Sequence, residues 1–147
     1  MVIVHTVSSL LSYVAFLVAF VAGMLFLMQE RQLKNKPIGM GFRRLPPLEA
    51  LDDVNFLAIG AGFWLLTIGL VCGLVGSKHL LGRWWMGDPK EYLTLLLWGS
   101  YLALWLIRLR ATLRGRRVAL LSILGFSLVL FSVLGVSRIL PSLHPYL

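Results

Sequence analysis

Four apolar runs, each near or above the length needed to cross a bilayer, constrain this chain more than any other feature. They lie at about residues 4–28, 54–76, 92–107 and 118–140. A hydrocarbon core of about 30 Å needs about 20 helical residues to cross it. Unpaired backbone groups are costly in lipid, so we predict that these runs are helices. The predicted fold is an all-α integral membrane bundle of four transmembrane helices, forming a single membrane domain over residues 1–147.

The composition agrees with a membrane protein and excludes several other classes. Hydrophobic residues make up 59% of the chain and charged residues 14%, whereas soluble domains average about 45–50% and about 25%. The one cysteine, Cys72, lies in an apolar run, which excludes an internal disulfide framework and a Cys-rich metal site. No nucleic-acid-binding motif accompanies the net charge of +8, so we expect no nucleic-acid partner and interpret the basic residues as topology anchors.

Lysine and arginine residues divide unequally between the two sides of the predicted bundle. The connectors 29–53 and 108–117 hold ten of them, namely Arg31, Lys34, Lys36, Arg43, Arg44, Arg108, Arg110, Arg114, Arg116 and Arg117. The other side holds four, namely Lys78, Arg83, Lys90 and Arg138. The positive-inside rule therefore predicts that both basic connectors are cytoplasmic. Both termini and the connector 77–91 are then predicted to face outward from the inner (cytoplasmic) membrane.

Two shorter patterns add local predictions. The sequence PPLEALDD, residues 46–53, indicates a helix start because proline suits a first turn and acids suit the N-terminal dipole. We interpret the surrounding connector as an amphipathic segment on the cytoplasmic membrane surface, in preference to a partner-binding segment. Gly69 and Gly73 form a G-x-x-x-G motif in the second run, which predicts close helix packing.

The predicted outer connector contains the sequence GRWWMGDPKEY, residues 82–92. Asp88 followed by Pro89 is typical of a helix N-cap and first turn, so this stretch is predicted to begin the third span. Trp84 and Trp85 have a plain interpretation as an interfacial belt. The adjacent charges favour instead an aromatic surface at a helix N-terminus, which suits a flat apolar ligand whose anionic group meets the helix amides. We interpret Asp88 and Glu91 as helix-start and loop-ordering groups, not as a catalytic acid pair.

All three histidines, His5, His79 and His144, fall on the predicted outer side. Imidazole is a common ligand for transition metals and for haem iron. His5 and His144 lie at the outer ends of the first and last spans. In a four-helix bundle these ends can be neighbours, and the two rings could then bind one iron from opposite faces of a porphyrin. A solvated interfacial histidine is the alternative for each of them, and we retain it for His79.

The tryptophan-rich segment resembles that of the cytochrome c assembly family. Members of this family handle haem at the outer membrane face through a WWD domain, with a pattern close to W-G-x-x-W-x-W-D-P-K-E. The sequence LGRWWMGDPKE keeps the family residues Gly82, Trp85, Asp88, Pro89, Lys90 and Glu91. It departs from the pattern at Leu81 and Gly87, where the family has tryptophans, and Trp84 partly compensates for them.

Three further blocks extend the resemblance over nearly the whole chain. They are HTVSSLLSYVAF (5–16), FLAIGAGFWLLTIGLVCG (56–73) and RGRRVALLSILGFSLVLFSVLGVSRILPSLHPY (114–146). The resemblance implies that His5 and His144 are axial ligands of haem iron. It also implies that Trp84, Trp85 and Asp88 contribute to binding a haem b, held transiently or as a resident group. It requires no catalytic side chain.

The function that the resemblance implies is haem handling at the outer membrane face for cytochrome c maturation. Expected partners are the membrane, a membrane protein that supplies further spans, and apocytochrome c. Typical members are longer, and the family's synthases carry a histidine in the helix after the WWD segment that LALWLIRLR, residues 102–110, lacks. The chain therefore resembles an incomplete part of a holocytochrome c synthase. The alternatives are a non-enzymatic haem-binding or structural subunit of a larger membrane complex, and a regulator of haem synthesis.

Overall fold

The computed structural model describes residues 2–35, 46–110, 115–136 and 138. Four helices make up this part of the chain: α1 (Val2–Asn35), α2 (Leu48–Leu81), α3 (Pro89–Leu109) and α4 (Arg116–Leu130), the last continued by a π-helical segment (Phe131–Val136). All four, α4 together with its π-helical continuation, are long and apolar enough to cross a membrane, and the described residues include no strand. The predicted all-α bundle of four transmembrane helices is confirmed.

The helices extend beyond several of the predicted spans. The helix start predicted at PPLEALDD is confirmed, because Pro47 precedes the first residue of α2. However, residues 48–53 are the first turns of α2 itself, and Leu51 is only 4% exposed. Leu51 thus packs against the bundle, while Glu49 and Asp53 are exposed. Residues 36–45 of the connector lie outside the described residues, so its interpretation as a membrane-surface segment stays a prediction. The end of the predicted fourth span, beyond the π-helical segment, lies largely outside the described residues.

The four helices pack in a closed ring of neighbours. α1 lies against α2 along most of its length, α4 lies against α1, and α3 lies between α2 and α4. The start of α1 meets the end of α2, since His5 contacts Gly69 and Gly73. Close packing of this kind is the main source of helix association in lipid, where apolar surface gains little from leaving its surroundings. The close approach predicted from G-x-x-x-G is therefore present between α1 and α2.

Aromatic rings fill the centre of the bundle. Phe16 of α1 stacks on Tyr101 of α3, with ring centroids 3.6 Å apart and an interplanar angle of 16°. The Phe16 ring lies so close to Gly62 of α2 that a Cβ there would be 2.4 Å from its Cε1 atom. Phe63 stacks on Trp105 at 5.5 Å. Glycine in α2 thus makes the space in which rings from the neighbouring helices pack.

Polar side chains also join the helices within the bundle. Asn55 of α2 donates from Nδ2 to the Ala19 carbonyl of α1 at 2.8 Å and to Ser122 Oγ of α4 at 3.0 Å. Arg108 forms an ion pair with Asp52. Arg108 was predicted to begin the connector 108–117, but α3 continues to Leu109 and Arg108 is 7% exposed. The predicted boundary is therefore two residues early, and the Arg108 guanidinium has a carboxylate partner on α2.

The two ends of the bundle differ in character. Phe26 of α1 lies beside Gly115, and Arg108 meets Asp52, so that the two basic connectors begin or end at the same end of the bundle. The opposite end holds His5, the end of α2 and the segment 82–88, which we call the tryptophan connector. The assignment of these ends to the cytoplasmic and outer sides stays a prediction from charge.

Candidate functional site

His5 lies half-buried in the first turns of α1, against the last part of α2. Its Nδ1 atom is 2.7 Å from the Gly69 carbonyl oxygen. A carbonyl only accepts hydrogen bonds, so Nδ1 is the donor and carries a proton. In the neutral ring, Nε2 then keeps its lone pair, and no described residue forms a hydrogen bond with it. This is the form in which imidazole binds a metal through Nε2.

Gly73 provides the space for the His5 ring. A Cβ atom on Gly73 would lie 2.9 Å from both Cε1 and Nδ1 of the imidazole. A Cβ on Gly69 would lie 2.7 Å from Ser9 Oγ, on the next turn of α1. The ring therefore presents its Nδ1–Cε1 edge to α2. Both glycines lie beside His5, but an added Cβ would meet the Ser9 side chain at Gly69 and the His5 ring at Gly73.

The tryptophan connector follows the end of α2. Gly82 caps α2 in the left-handed conformation, with φ 71°, and Gly87 has φ 78°. These are conformations that glycine adopts without steric cost. Between them Trp84 is 56% exposed, with Lys78 Nζ 5.8 Å from its ring centroid. Trp85 is half-buried and packs edge to face on Tyr92 at 5.3 Å. One indole is thus exposed, and the other is fixed against the first turns of α3.

Two carboxylates fix the start of α3. Asp88 is the N-cap residue, and its Oδ1 atom accepts from the Lys90 N–H at 3.2 Å. Glu91 accepts from the N–H groups of Met86 and Gly87 at 3.1 and 3.0 Å. The predicted helix start at Asp88-Pro89 and the loop-ordering role of Glu91 are confirmed. We expected the amides here to meet an anionic ligand group, but the structure gives three of them carboxylate partners within the chain.

The structure brings His5 and the tryptophan connector to the same end of the bundle. His5 contacts α2 at Gly73. The Trp84 ring contacts Lys78, which is five residues after Gly73 on the same helix. That spacing corresponds to a rise of roughly 8 Å at 1.5 Å per residue. His79 is exposed near the end of α2. His144 lies outside the described residues, and Asp88 is 2% exposed.

The chemistry of these residues suits a haem ligand. His5 offers an imidazole whose second nitrogen is already hydrogen-bonded, which is the usual arrangement of a metal-binding histidine. Trp84 offers a largely exposed indole on which a flat conjugated ring can stack. Asp88 is engaged as a helix cap, so the structure favours an indirect contribution from it.

Sequence reasoning missed how the glycines and the histidine act together. Gly69 and Gly73 were interpreted as a packing motif, and His5 as a ligand, without a connection between them. A G-x-x-x-G motif predicts that another helix packs closely against these glycines, but it does not predict which residue of that helix contacts them. The partner atoms of His5 are 64 residues away in the chain, so only the fold reveals the contact.

Comparison with known proteins places the sequence among cytochrome c assembly proteins. Residues 1–144 match the profile of the family described as Cytochrome C assembly protein. Among the relatives is the Cytochrome c biogenesis protein CcsA of Synechococcus sp. (strain JA-2-3B'a(2-13)), which is 40% identical over 75% of this chain and 31% of its own length. The protein of the same name in Prochlorococcus marinus (strain MIT 9215) is 32% identical over 98% of this chain and 53% of its own length.

A third relative, the CcsA protein of Synechocystis sp. (strain ATCC 27184 / PCC 6803 / Kazusa), is 34% identical over 80% of this chain and 35% of its own length. The chain thus spans about a third to a half of the length of these relatives. No solved structure matches the chain.

Proposed function

Because this chain belongs to the cytochrome c assembly family, we propose that it holds haem at the outer membrane face during cytochrome c maturation. The observation that supports this most directly is the His5 imidazole, whose Nδ1 proton is held by the Gly69 carbonyl. Its Nε2 atom is therefore suited to bind iron. In this proposal His144, at the other end of the chain, would supply a second imidazole to hold the iron.

The tryptophan connector supports one face of the bound haem. Trp84 is exposed and provides the stacking surface, while Trp85 is fixed by Tyr92. Asp88 and Glu91 keep the connector in place through their contacts with backbone amides. Bound haem supplies the vinyl groups to which the cysteine thiols of an apocytochrome are joined. The residues of this chain bind the haem, orient it and shield one of its faces from water.

The proposed location is the inner (cytoplasmic) membrane, with the haem site facing outward, as the positive-inside rule predicts. The proposed haem is haem b, bound transiently or as a resident group. We propose two partners besides the membrane. One is a membrane protein that contributes further spans, and the other is an apocytochrome c that presents its thiols at the tryptophan connector.

Absorption spectroscopy tests this function. We expect the purified protein, supplied with haem, to give the oxidised and reduced spectra of bis-histidine haem. The spectra should be lost or changed in His5→Ala and His144→Ala. His79→Ala is the matched control, because His79 is the third histidine and is exposed near the end of α2. A protein that stays colourless after haem is supplied, or equal spectra in all three variants, would contradict the proposal.

The second candidate is a non-enzymatic haem-binding or structural subunit. The observation that favours it is the absence of histidine from residues 102–110, where the family's synthases carry one. Deletion of the gene separates the two functions. We expect loss of c-type cytochromes if the chain acts in assembly. Normal c-type cytochromes together with an intact haem spectrum would favour the subunit.

A further inference from the structure

We propose that Gly69 and Gly73 of α2 are positioning residues for His5. In this inference the Gly69 carbonyl selects the ring tautomer, and Gly73 admits the imidazole to the position in which Nε2 binds iron. The inference rests on the proposed function, since it concerns how the ligand is prepared for haem.

The tautomer follows from the chemistry of the partner atom. A free imidazole can carry its single proton on either nitrogen, and only the unprotonated nitrogen can bind a metal. The Gly69 carbonyl, 2.7 Å from Nδ1, stabilises the form with the proton on Nδ1. The ring is thereby prepared for Nε2 ligation before any haem arrives. The same hydrogen bond increases the basicity of the ligand once the metal is bound.

The ring position follows from the absence of a side chain on Gly73. A Cβ there would lie 2.9 Å from Nδ1 and Cε1, closer than real Cβ contacts, so that the ring would have to move. Movement away from α2 lengthens the hydrogen bond between Nδ1 and the Gly69 carbonyl. In Gly73→Ala, the His5 ring is therefore expected to lose both its fixed orientation and its preference for the proton on Nδ1.

Other glycines of α2 have other neighbours, so a general effect on helix packing can be separated from an effect on His5. Gly62 faces the Phe16 ring, and Gly60 faces the Trp105 indole. Gly62 belongs to the same α1–α2 interface as Gly73 but lies about three turns away from it. Gly62→Ala thus disturbs the spacing of the two helices without contact with His5.

The tautomer can be measured without haem. In a His79→Ala/His144→Ala double variant, His5 is the only histidine left. With ¹⁵N-labelled histidine in nanodiscs at alkaline pH, we expect ring nitrogen shifts that place the proton on Nδ1. A dominant Nε2-protonated ring, or equal populations of the two tautomers, would overturn the inference. This measurement does not depend on any glycine variant folding.

Haem affinity is then measured for three glycine variants of the otherwise native chain. We expect Gly73→Ala to weaken haem affinity by about 10- to 100-fold, the range seen when a metal-binding histidine loses its hydrogen-bond partner. Gly62→Ala should lower thermal stability without a comparable loss of affinity. Gly99→Ala, whose Cβ meets no atom of the described residues within 4 Å, should leave both unchanged. Equal affinities in the Gly73 and Gly62 variants would contradict the inference.

The results separate this inference from the proposed function. If the native protein binds no haem, the proposed function fails, whatever the tautomer of His5. If haem binds through His5 while the ring populates both tautomers, the proposed function stands and the positioning role of the glycines is wrong.

Discussion

Arg108, near the end of α3, forms an ion pair with Asp52, in the first turns of α2. The other carboxylate oxygen of Asp52 accepts from the Gly115 N–H, 3.4 Å away at the start of α4. The guanidinium also lies over the Phe56 ring, 5.4 Å from its centroid. One carboxylate therefore connects three helices at the end of the bundle opposite to His5.

Asp52→Asn is expected to lower the free energy of unfolding by about 2–3 kcal/mol, because it leaves the buried Arg108 charge without its counter-ion. Equilibrium unfolding in mixed micelles measures this loss. Glu30→Gln is the matched control, since Glu30 forms an ion pair with Lys34, whose side chain is 62% exposed. That pair should be worth less than about 0.5 kcal/mol. Equal losses in the two variants would show that the Asp52 pair adds nothing beyond a surface contact.

Asn55→Leu is expected to lower stability by about 1–2 kcal/mol, because Asn55 bonds to both α1 and α4 inside the bundle. A double-mutant cycle with Ser122→Ala isolates the interaction between the two side chains. Ser127→Ala provides the control, since Ser127 is exposed and, among the described residues, its hydroxyl bonds only to the Ile123 carbonyl of its own helix. A zero coupling energy would show that the hydrogen bond between Asn55 and Ser122 does not stabilise the bundle.

These polar contacts show which part of the fold the sequence predicts and which part it does not. Hydropathy predicts the four helices because each span must satisfy its own backbone in lipid. It does not predict the partner of a given side chain. The positive-inside rule counts Arg108 as a topology anchor. Arg108 is nevertheless buried, because Asp52, 56 residues away in the chain, neutralises its charge.

The candidate site divides in the same way. Asp88, Pro89 and Glu91 act within a few residues of their own positions, so their capping roles follow from local sequence. The imidazole, its predicted outer position and the resemblance to the assembly family made His5 a candidate ligand, but its hydrogen bond to Gly69 required the packing of α1 on α2. The placement of His144 was a prediction from topology and remains one.

Asp88→Ala is expected to lower stability by about 1 kcal/mol, while Asp88→Asn should be nearly neutral, because an amide oxygen still caps the Lys90 N–H. Thermal unfolding and haem titration of both variants separate capping from ligand binding. If Asp88→Asn keeps native stability but loses haem affinity, the carboxylate charge acts on the cofactor directly. If affinity follows stability in both variants, Asp88 acts through the helix start.

Tyr101→Phe is expected to leave stability unchanged or raise it by up to about 1 kcal/mol. The Tyr101 hydroxyl is buried and has no hydrogen-bond partner among the described residues, and an unpaired buried polar group costs free energy. Tyr101→Ala removes the stack on Phe16 and should cost about 3–5 kcal/mol. Chemical denaturation of the two variants measures both effects. A loss above about 1 kcal/mol in Tyr101→Phe would mean that the hydroxyl does have a partner.

Trp84→Ala is expected to weaken haem binding several-fold and to leave stability nearly unchanged. The side chain is 56% exposed, so its removal takes away little packing, whereas stacking on an aromatic ring is worth about 0.5–1.5 kcal/mol. Trp85→Ala should lower stability as well, because that ring packs on Tyr92. Trp64 is the control: it is 53% exposed on α2 and lies level with the bundle centre, away from the connector. Haem titration and thermal unfolding of the three variants distinguish a specific haem surface from an interfacial belt. If the tryptophans form only a belt, Trp84→Ala and Trp64→Ala should both leave haem affinity unchanged.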